Sequence, residues 1–171
     1  MTPGTLVLLH APYSRAEAWG DLPEALRRHG LDVVVPDVPD SSGPRYVARA
    51  SLIISATGPV SPLVLVASGG AGPLVPAVAL AQRAAHRRVG GYVFVDADLP
   101  RPPVGQSDEP VAMPPDWPEA PCGYLRTDHS LARTADEDRA LREARLRGWV
   151  VAEQGPGTSK ALTLNGLIAA L

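Results

Sequence analysis

Residues Val64 to Pro76 read VLVASGGAGPLVP. An apolar run climbs into a corner of small residues, and a helix opens directly after it. A sharp strand-to-helix turn of this kind can hold a nucleophilic side chain clear of a sheet. It demands small residues two before and two after its tip, where larger side chains would collide with strand and helix backbone. Two registers exist here. With Ser68 at the tip, the crowded positions are Val66 and Gly70, and a β-branched valine suits the first badly. With position 69 at the tip they are Ala67 and Ala71, both small. The second register is favoured, and it puts Gly69, which has no nucleophile, where acyl-transfer chemistry would begin.

A base is equally hard to find. A serine hydroxyl is a weak nucleophile until a base lies within hydrogen-bond reach. The histidines are His10, His29, His86 and His129. His10 ends the first strand and could stand near the corner, although such a histidine more often bonds local backbone. His129 follows a short fifth strand and reads as a surface residue. Asp96 ends the fourth strand, where it is either a loop cap or a pocket acid. Ser68 with His10 or His129 and Asp96 therefore stays open as an alternative triad. No metal site is expected, because the histidines lack ligand spacing and Cys122 is the single cysteine.

The elements that must position these residues follow from pattern. Short β-rich apolar runs at Thr5–Leu9, 32–35, 63–66, 91–95, 122–125 and 149–153 predict six buried strands. Helices are predicted between them. One follows a capping-box spacing at Ser14–Glu17 and is stopped by Gly30. Others run over about 45–55, 73–87, from a second capping box at Thr134–Glu137 to Arg147, and over 160–171. Alternating strands and helices mean right-handed βαβ units and a mainly parallel sheet with helices on both faces. Ligands then bind outside the carboxyl ends of the strands. Eight prolines between residues 100 and 121 forbid a long helix there and suggest a small cap.

Length and composition agree with one domain over 1–171: 171 residues, 45% hydrophobic, net charge −2. The near-neutral charge gives no case for nucleic acid. The arginines of 139–147 alternate with acids, as on a solvated helix face. No signal peptide is visible, and no apolar run approaches the ~18 residues of a membrane span, so a cytoplasmic protein with no membrane role is expected.

The corner also carries a family resemblance. It resembles actinobacterial-type α/β-hydrolase-fold proteins whose corner reads LVLVGHSGAGPLLP. Laid on this chain without gaps, Gly-His-Ser falls on Ala67-Ser68-Gly69, and the match continues through Pro76. LVLLHAPYSRAEAW (6–19), DVVVPDVPD (32–40), YVARA (46–50), GYVFVDADLP (91–100) and RGWVV (147–151) resemble the same group. Such hydrolases keep a general-base histidine after the last strand, in a phrase like GGHLHML. Here that loop reads GPGTSKAL (155–162) and has none. The resemblance thus implies a truncated α/β-hydrolase-like three-layer sandwich with a minimal cap and an empty triad.

In size, fold pattern and vacant corner the chain is similar to small triad-less pericyclases of polyketide pathways, of the streptoseomycin and nargenicin type. That similarity implies a cofactor-free cyclase acting on a polyene macrolactone by [6+4] and [4+2] cycloaddition. Tyr13 would be the catalytic hydrogen-bond donor. His10, Pro12, Ala67, Ser68, Gly69, Asp96, Leu99 and Tyr124 would line the substrate pocket, with Met113 and Trp117 as its roof. A serine esterase or thioesterase using Ser68 and a non-catalytic ligand-binding pseudohydrolase are the alternatives. A homodimer paired through helices is a further expectation.

Overall fold

The structure is a computed structural model and describes residues 2–39, 41–102, 111–128 and 135–171, apart from the side chain of Glu137. His129, the second capping box and the middle of the proline-rich stretch lie wholly or partly outside the described residues.

Six strands form one parallel sheet: β1 (Thr5–Leu9), β2 (Asp32–Val34), β3 (Leu63–Gly69), β4 (Val89–Ala97), β5 (Cys122–Arg126) and β6 (Val150–Glu153). Their order across the sheet is β2-β1-β3-β4-β5-β6. The central pair β1 and β3 runs in register from Thr5 opposite Leu63 to Leu9 opposite Ala67. Both are buried on both faces, which explains why they read as unbroken apolar runs rather than alternating ones.

The helices are α1 (Leu22–Arg28), α2 (Gly43–Ala56), α3 (Val75–Ala84), α4 (Ala135–Leu146) and α5 (Lys160–Ala169). Alternate residues of each strand feed two cores. Leu63, Leu65 and Ala67 pack with Tyr46, Ile54, Val78 and Leu141 under α2, α3 and α4. Val64 and Val66 pack with Trp19, Leu26, Leu164 and Ile168 under α1 and α5. The result is the expected three-layer α/β arrangement. No helix among the described residues is long and apolar enough to cross a membrane.

Two local expectations need correction. The capping box at Ser14–Glu17 does not form. The chain there makes only a short 3₁₀ turn at Ala16–Trp19, preceded by Arg15 with no side-chain cap bond. Asp37 does the capping instead, taking the Ala16 amide on Oδ1 at 3.0 Å, and α1 waits until Leu22. Strand β3 also runs on through Gly69, because Ser68 and Gly69 keep pairing with Val95 and Ala97.

Candidate functional site

Gly69, the last residue of β3, has φ +53°. That left-handed backbone disfavours side chains, and it marks position 69 as the tip of the corner. A Cβ at Gly69 would sit 3.3 Å from the Ala11 Cβ, and one at Gly70 3.4 Å from Pro12 Cδ. The tip is therefore overlain by the loop that leaves β1. Behind it a Cβ at Gly72 would fall 1.8 Å from the Asp98 carbonyl oxygen, so only glycine fits there. The Asp98 amide donates to the Gly69 carbonyl at 3.1 Å and ties the corner to the end of β4. Ser68 stays within the strand, partly buried, on the side where Val64 and Val66 meet α1 and α5.

His10 is fully buried. Its Nδ1 is 2.8 Å from the Ala11 carbonyl oxygen, and its Nε2 accepts the Val38 amide at 2.9 Å. A carbonyl only accepts and an amide only donates, so this geometry assigns the proton to Nδ1 and leaves Nε2 bare. Both nitrogens are occupied by backbone. Tyr46 adds a hydrogen bond from its hydroxyl to the His10 carbonyl at 2.6 Å, with the two rings edge to face at 5.7 Å. Burial raises the Tyr46 hydroxyl well above the ordinary phenol range, keeping it a donor. His10 therefore braces the β1 and β2 loops and is not a base for Ser68. His29 and His86 follow the carboxyl ends of α1 and α3, away from the corner.

Tyr13 differs from the buried residues beside it. It is 73% exposed, adopts φ +59°, and places its hydroxyl 2.9 Å from Ser42 Oγ. Its amide reaches the Ser41 carbonyl at 3.4 Å. A left-handed backbone at a large non-glycine residue persists only where surrounding contacts over-determine it. Here the anchor is the segment Ser41–Ser42, immediately before α2. Nearby, the amide of Ala16 and the guanidinium of Arg15 hold the Asp37 carboxyl below its ordinary range.

The ends of β4, β5 and β6 are closed by polar bonds. Asp96, at φ +45°, takes the Thr127 amide on Oδ1 at 2.9 Å and the Thr127 hydroxyl on Oδ2. It is the residue skipped where β3–β4 pairing shifts. Its carboxylate caps the β5 loop. Gln154 accepts the Asp128 amide at 3.4 Å and donates from Nε2 to the Thr158 carbonyl at 2.6 Å. The loop that could have held a base is thus organised by an amide side chain. Between this end of β4 and α4 lies a cavity of about 320 Å³, with Pro73, Asp98, Leu99, Arg101 and Arg139 in its wall.

Of the residues predicted for the site, the structure gathers His10, Pro12, Tyr13, Ser68 and Gly69 around the corner, with Asp96 at the neighbouring strand end. Ala67, Leu99 and Tyr124 are buried in the core beneath α2, α3 and α4. The expected roof is placed elsewhere. Trp117 packs against Tyr92, Phe94 and Trp149, at centroid distances of 5.6, 6.4 and 6.3 Å, towards the amino ends of β4 and β6. Met113 lies partly buried against the same core. Residues 116–119 are held there by Arg83, which pairs with Asp116 at 3.1 Å and Glu119 at 3.2 Å, and by the Tyr92 hydroxyl on Glu119. Cys122 is buried, and its thiol is pushed up to about 12 by desolvation, which makes it inert. Ser42 and Gln154 were missed by sequence reasoning. Ser42 precedes a helix like any cap residue, and only its bond to Tyr13 shows another use.

No family model matches the chain, and neither does any curated protein. Solved structures do. An extracellular α/β-hydrolase from a Paenibacillus species, described as sharing structural and functional homology with tobacco salicylic acid binding protein 2, superposes with a TM-score of 0.67. The identity is 14%, over 98% of each chain. Tomato methylketone synthase I gives 0.63 at 12% identity, over 99% of this chain and 98% of its own. The NocB thioesterase domain, solved as a covalent complex with a fluorophosphonate nocardicin G analogue, gives 0.61 at 18%, over 98% and 94%. At such identities the shared property is the path of the backbone. The parallel sheet, the strand-to-helix corner at Gly69 and these superpositions together establish that the chain has the α/β-hydrolase fold.

Proposed function

We propose that this chain is a non-hydrolytic enzyme, a cofactor-free cyclase that folds a polyene macrolactone for [6+4] or [4+2] cycloaddition. The observation that carries the reading is glycine at the tip of the corner, with no imidazole free to serve Ser68 among the described residues. The similarity to triad-less pericyclases in size, fold pattern and vacant corner supports the substrate class.

Such a reaction suits a site of this kind. Two carbon–carbon σ bonds form at the expense of two π bonds within one molecule, and no proton, electron or leaving group is transferred. Acceleration then comes from holding a flexible ring in its reactive fold, which removes entropy from the barrier. A placed donor polarising a conjugated carbonyl adds to it. Pro12 and the bare corner at Gly69 and Gly70 would form the floor. Tyr13, exposed and held by Ser42, would supply the hydroxyl.

The test is direct. A polyene macrolactone incubated with the protein should undergo cycloaddition faster than in buffer, as followed by chromatography. Tyr13→Phe should lower that rate roughly fivefold, the loss expected of one neutral hydrogen bond of about 1 kcal/mol. The protein should resist a fluorophosphonate probe and leave p-nitrophenyl butyrate intact. Probe labelling of Ser68, with esterase activity removed by Ser68→Ala, would establish the hydrolase instead.

A further inference from the structure

An open groove of about 390 Å³ runs between α2 and α3. It is lined by Ala48 and Ser51 of α2, by Leu80, Ala81 and Ala84 of α3, and by Val111. Ser51 is the one polar side chain of its wall among the described residues. Leu80 is 38% exposed, and Leu52, next to Ser51 in the chain, is 71% exposed. Apolar surface left in water is unfavourable, and a contiguous patch of it marks a contact site.

The charges of this helix pair have one sign. Residues 41–95, which include both helices, carry five arginines and none of the chain's 18 Asp and Glu. Arg83 is taken by Asp116 and Glu119. The other four, Arg45, Arg49, Arg87 and Arg88, form no ion pair among the described residues. Elsewhere pairing is the rule, since nine of the other ten described arginines each meet a carboxylate. The four stand as two pairs. Arg45 follows Pro44 of the groove wall in the first turn of α2, and Arg49 turns back to the Ser41 hydroxyl at 2.9 Å. Arg87 lies past the end of α3 and donates to Ser55 Oγ at 3.1 Å, one turn of α2 beyond Ser51. Arg88 is next to it and exposed. Cations therefore flank the groove at both ends, roughly 20 Å apart along α2 at a rise of ~1.5 Å per residue.

We infer that this groove docks an acidic amphipathic helix of a partner protein. Leucine-like side chains on one face of that helix enter between α2 and α3, in the manner of a helix laid into an apolar groove. Acids in its first and last turns meet the two arginine pairs, and about four turns cover the distance. Opposite charge across the contact fixes its direction and speeds encounter. A fatty acid or a free phosphate carries its charge at one end, whereas the cations here hold both. An anionic membrane favours protruding apolar side chains, whereas Ala48, Ala81 and Ala84 leave a recess. The contact uses neither Gly69 nor Tyr13 and does not depend on the proposed cyclase reaction.

The probe is a fluorescein-labelled helical peptide of about four turns, with leucines at helical spacing and glutamates in its first and last turns. Titrated with the full chain and followed by fluorescence anisotropy, it should bind saturably. Nitrogen-edited proton NMR should place the shifted amides at Ala48, Leu80, Ala81 and Ala84. Arg45→Glu combined with Arg88→Glu should weaken binding roughly tenfold, as should lysines in place of the peptide's glutamates. Leu80→Ser should weaken it roughly fivefold through lost apolar contact. Arg45, Arg88 and Leu80 are all exposed, so these variants keep the fold, which circular dichroism checks. The inference is overturned by a peptide that does not bind, by a lysine peptide that binds equally, or by the double variant binding as tightly as the parent. Co-sedimentation with phosphatidylserine vesicles that the peptide fails to compete away would make a membrane the occupant and overturn it too.

Discussion

The carboxyl ends of β1 and β3 lie side by side in the sheet, yet they are built in opposite ways. At the end of β1 the polar side chains of His10, Tyr46 and Asp37 are all engaged. His10 spends both nitrogens on backbone, Tyr46 grips its carbonyl, and Asp37 takes the Ala16 amide. At the end of β3 the chain is reduced to Ser68, Gly69 and Gly70, and the residue at the tip has no side chain. The contrast separates two demands that an active corner usually combines. Scaffolding needs bonded polar groups, and reacting chemistry needs unbonded ones. At the end of β1 the first demand is met, so a histidine beside the corner is by itself no evidence for hydrolysis.

The heaviest blow to that contrast is His10→Ala. It would strand the Val38 amide in the interior and leave a cavity. The expected loss is about 3–5 kcal/mol, a large part of a typical stability. Chemical denaturation should show it as a lower midpoint. A loss under 1 kcal/mol would mean that the ring does not brace the loops.

Gly69→Ser acts on the other side. A side chain at φ +53° costs about 1–2 kcal/mol. The restored hydroxyl should still give no ester hydrolysis, because the neighbouring imidazole is fully bonded. A burst of p-nitrophenolate from this variant would show that His10 can leave its backbone partners.

The smallest effect is at Asp37. Its folded carboxyl titrates below the ordinary value of 3.8, chiefly through the Ala16 amide. A depressed pKa contributes stability above the unfolded value, and that stability is lost as pH falls through the folded one. Asp37→Asn should therefore cost at most about 1 kcal/mol at neutral pH, given solvent screening of a side chain 38% exposed. The gap from the parent protein should close as pH falls below that ordinary value and through the folded one, which thermal melts across pH can follow.

The sheet was legible because its signal is local. Each strand is a short apolar run, and each helix lies between two of them, so order and handedness follow. The register of the corner was legible for the same reason: Val66 is too large for a crowded position, and the left-handed Gly69 agrees. What failed was anything that depended on a partner distant in sequence. Ser14 looked like a helix cap, yet the carboxylate that caps is Asp37. Trp117 looked like a lid residue in a proline-rich loop. Its place is fixed by Tyr92, Phe94 and Trp149, residues that no spacing rule connects to it. Tyr13 was singled out, but its strained backbone arises from Ser41 and Ser42, about thirty positions away.

The Asp98 carbonyl, 1.8 Å from where a Gly72 side chain would begin, carries a lesson for redesign. Main-chain atoms alone set the depth of the corner there, so a library randomised at that position would yield mostly misfolded clones. Diversity intended to change what the molecule accepts belongs at Tyr13 on the overhanging segment, where the side chain already faces outward and the underlying architecture would tolerate exchange.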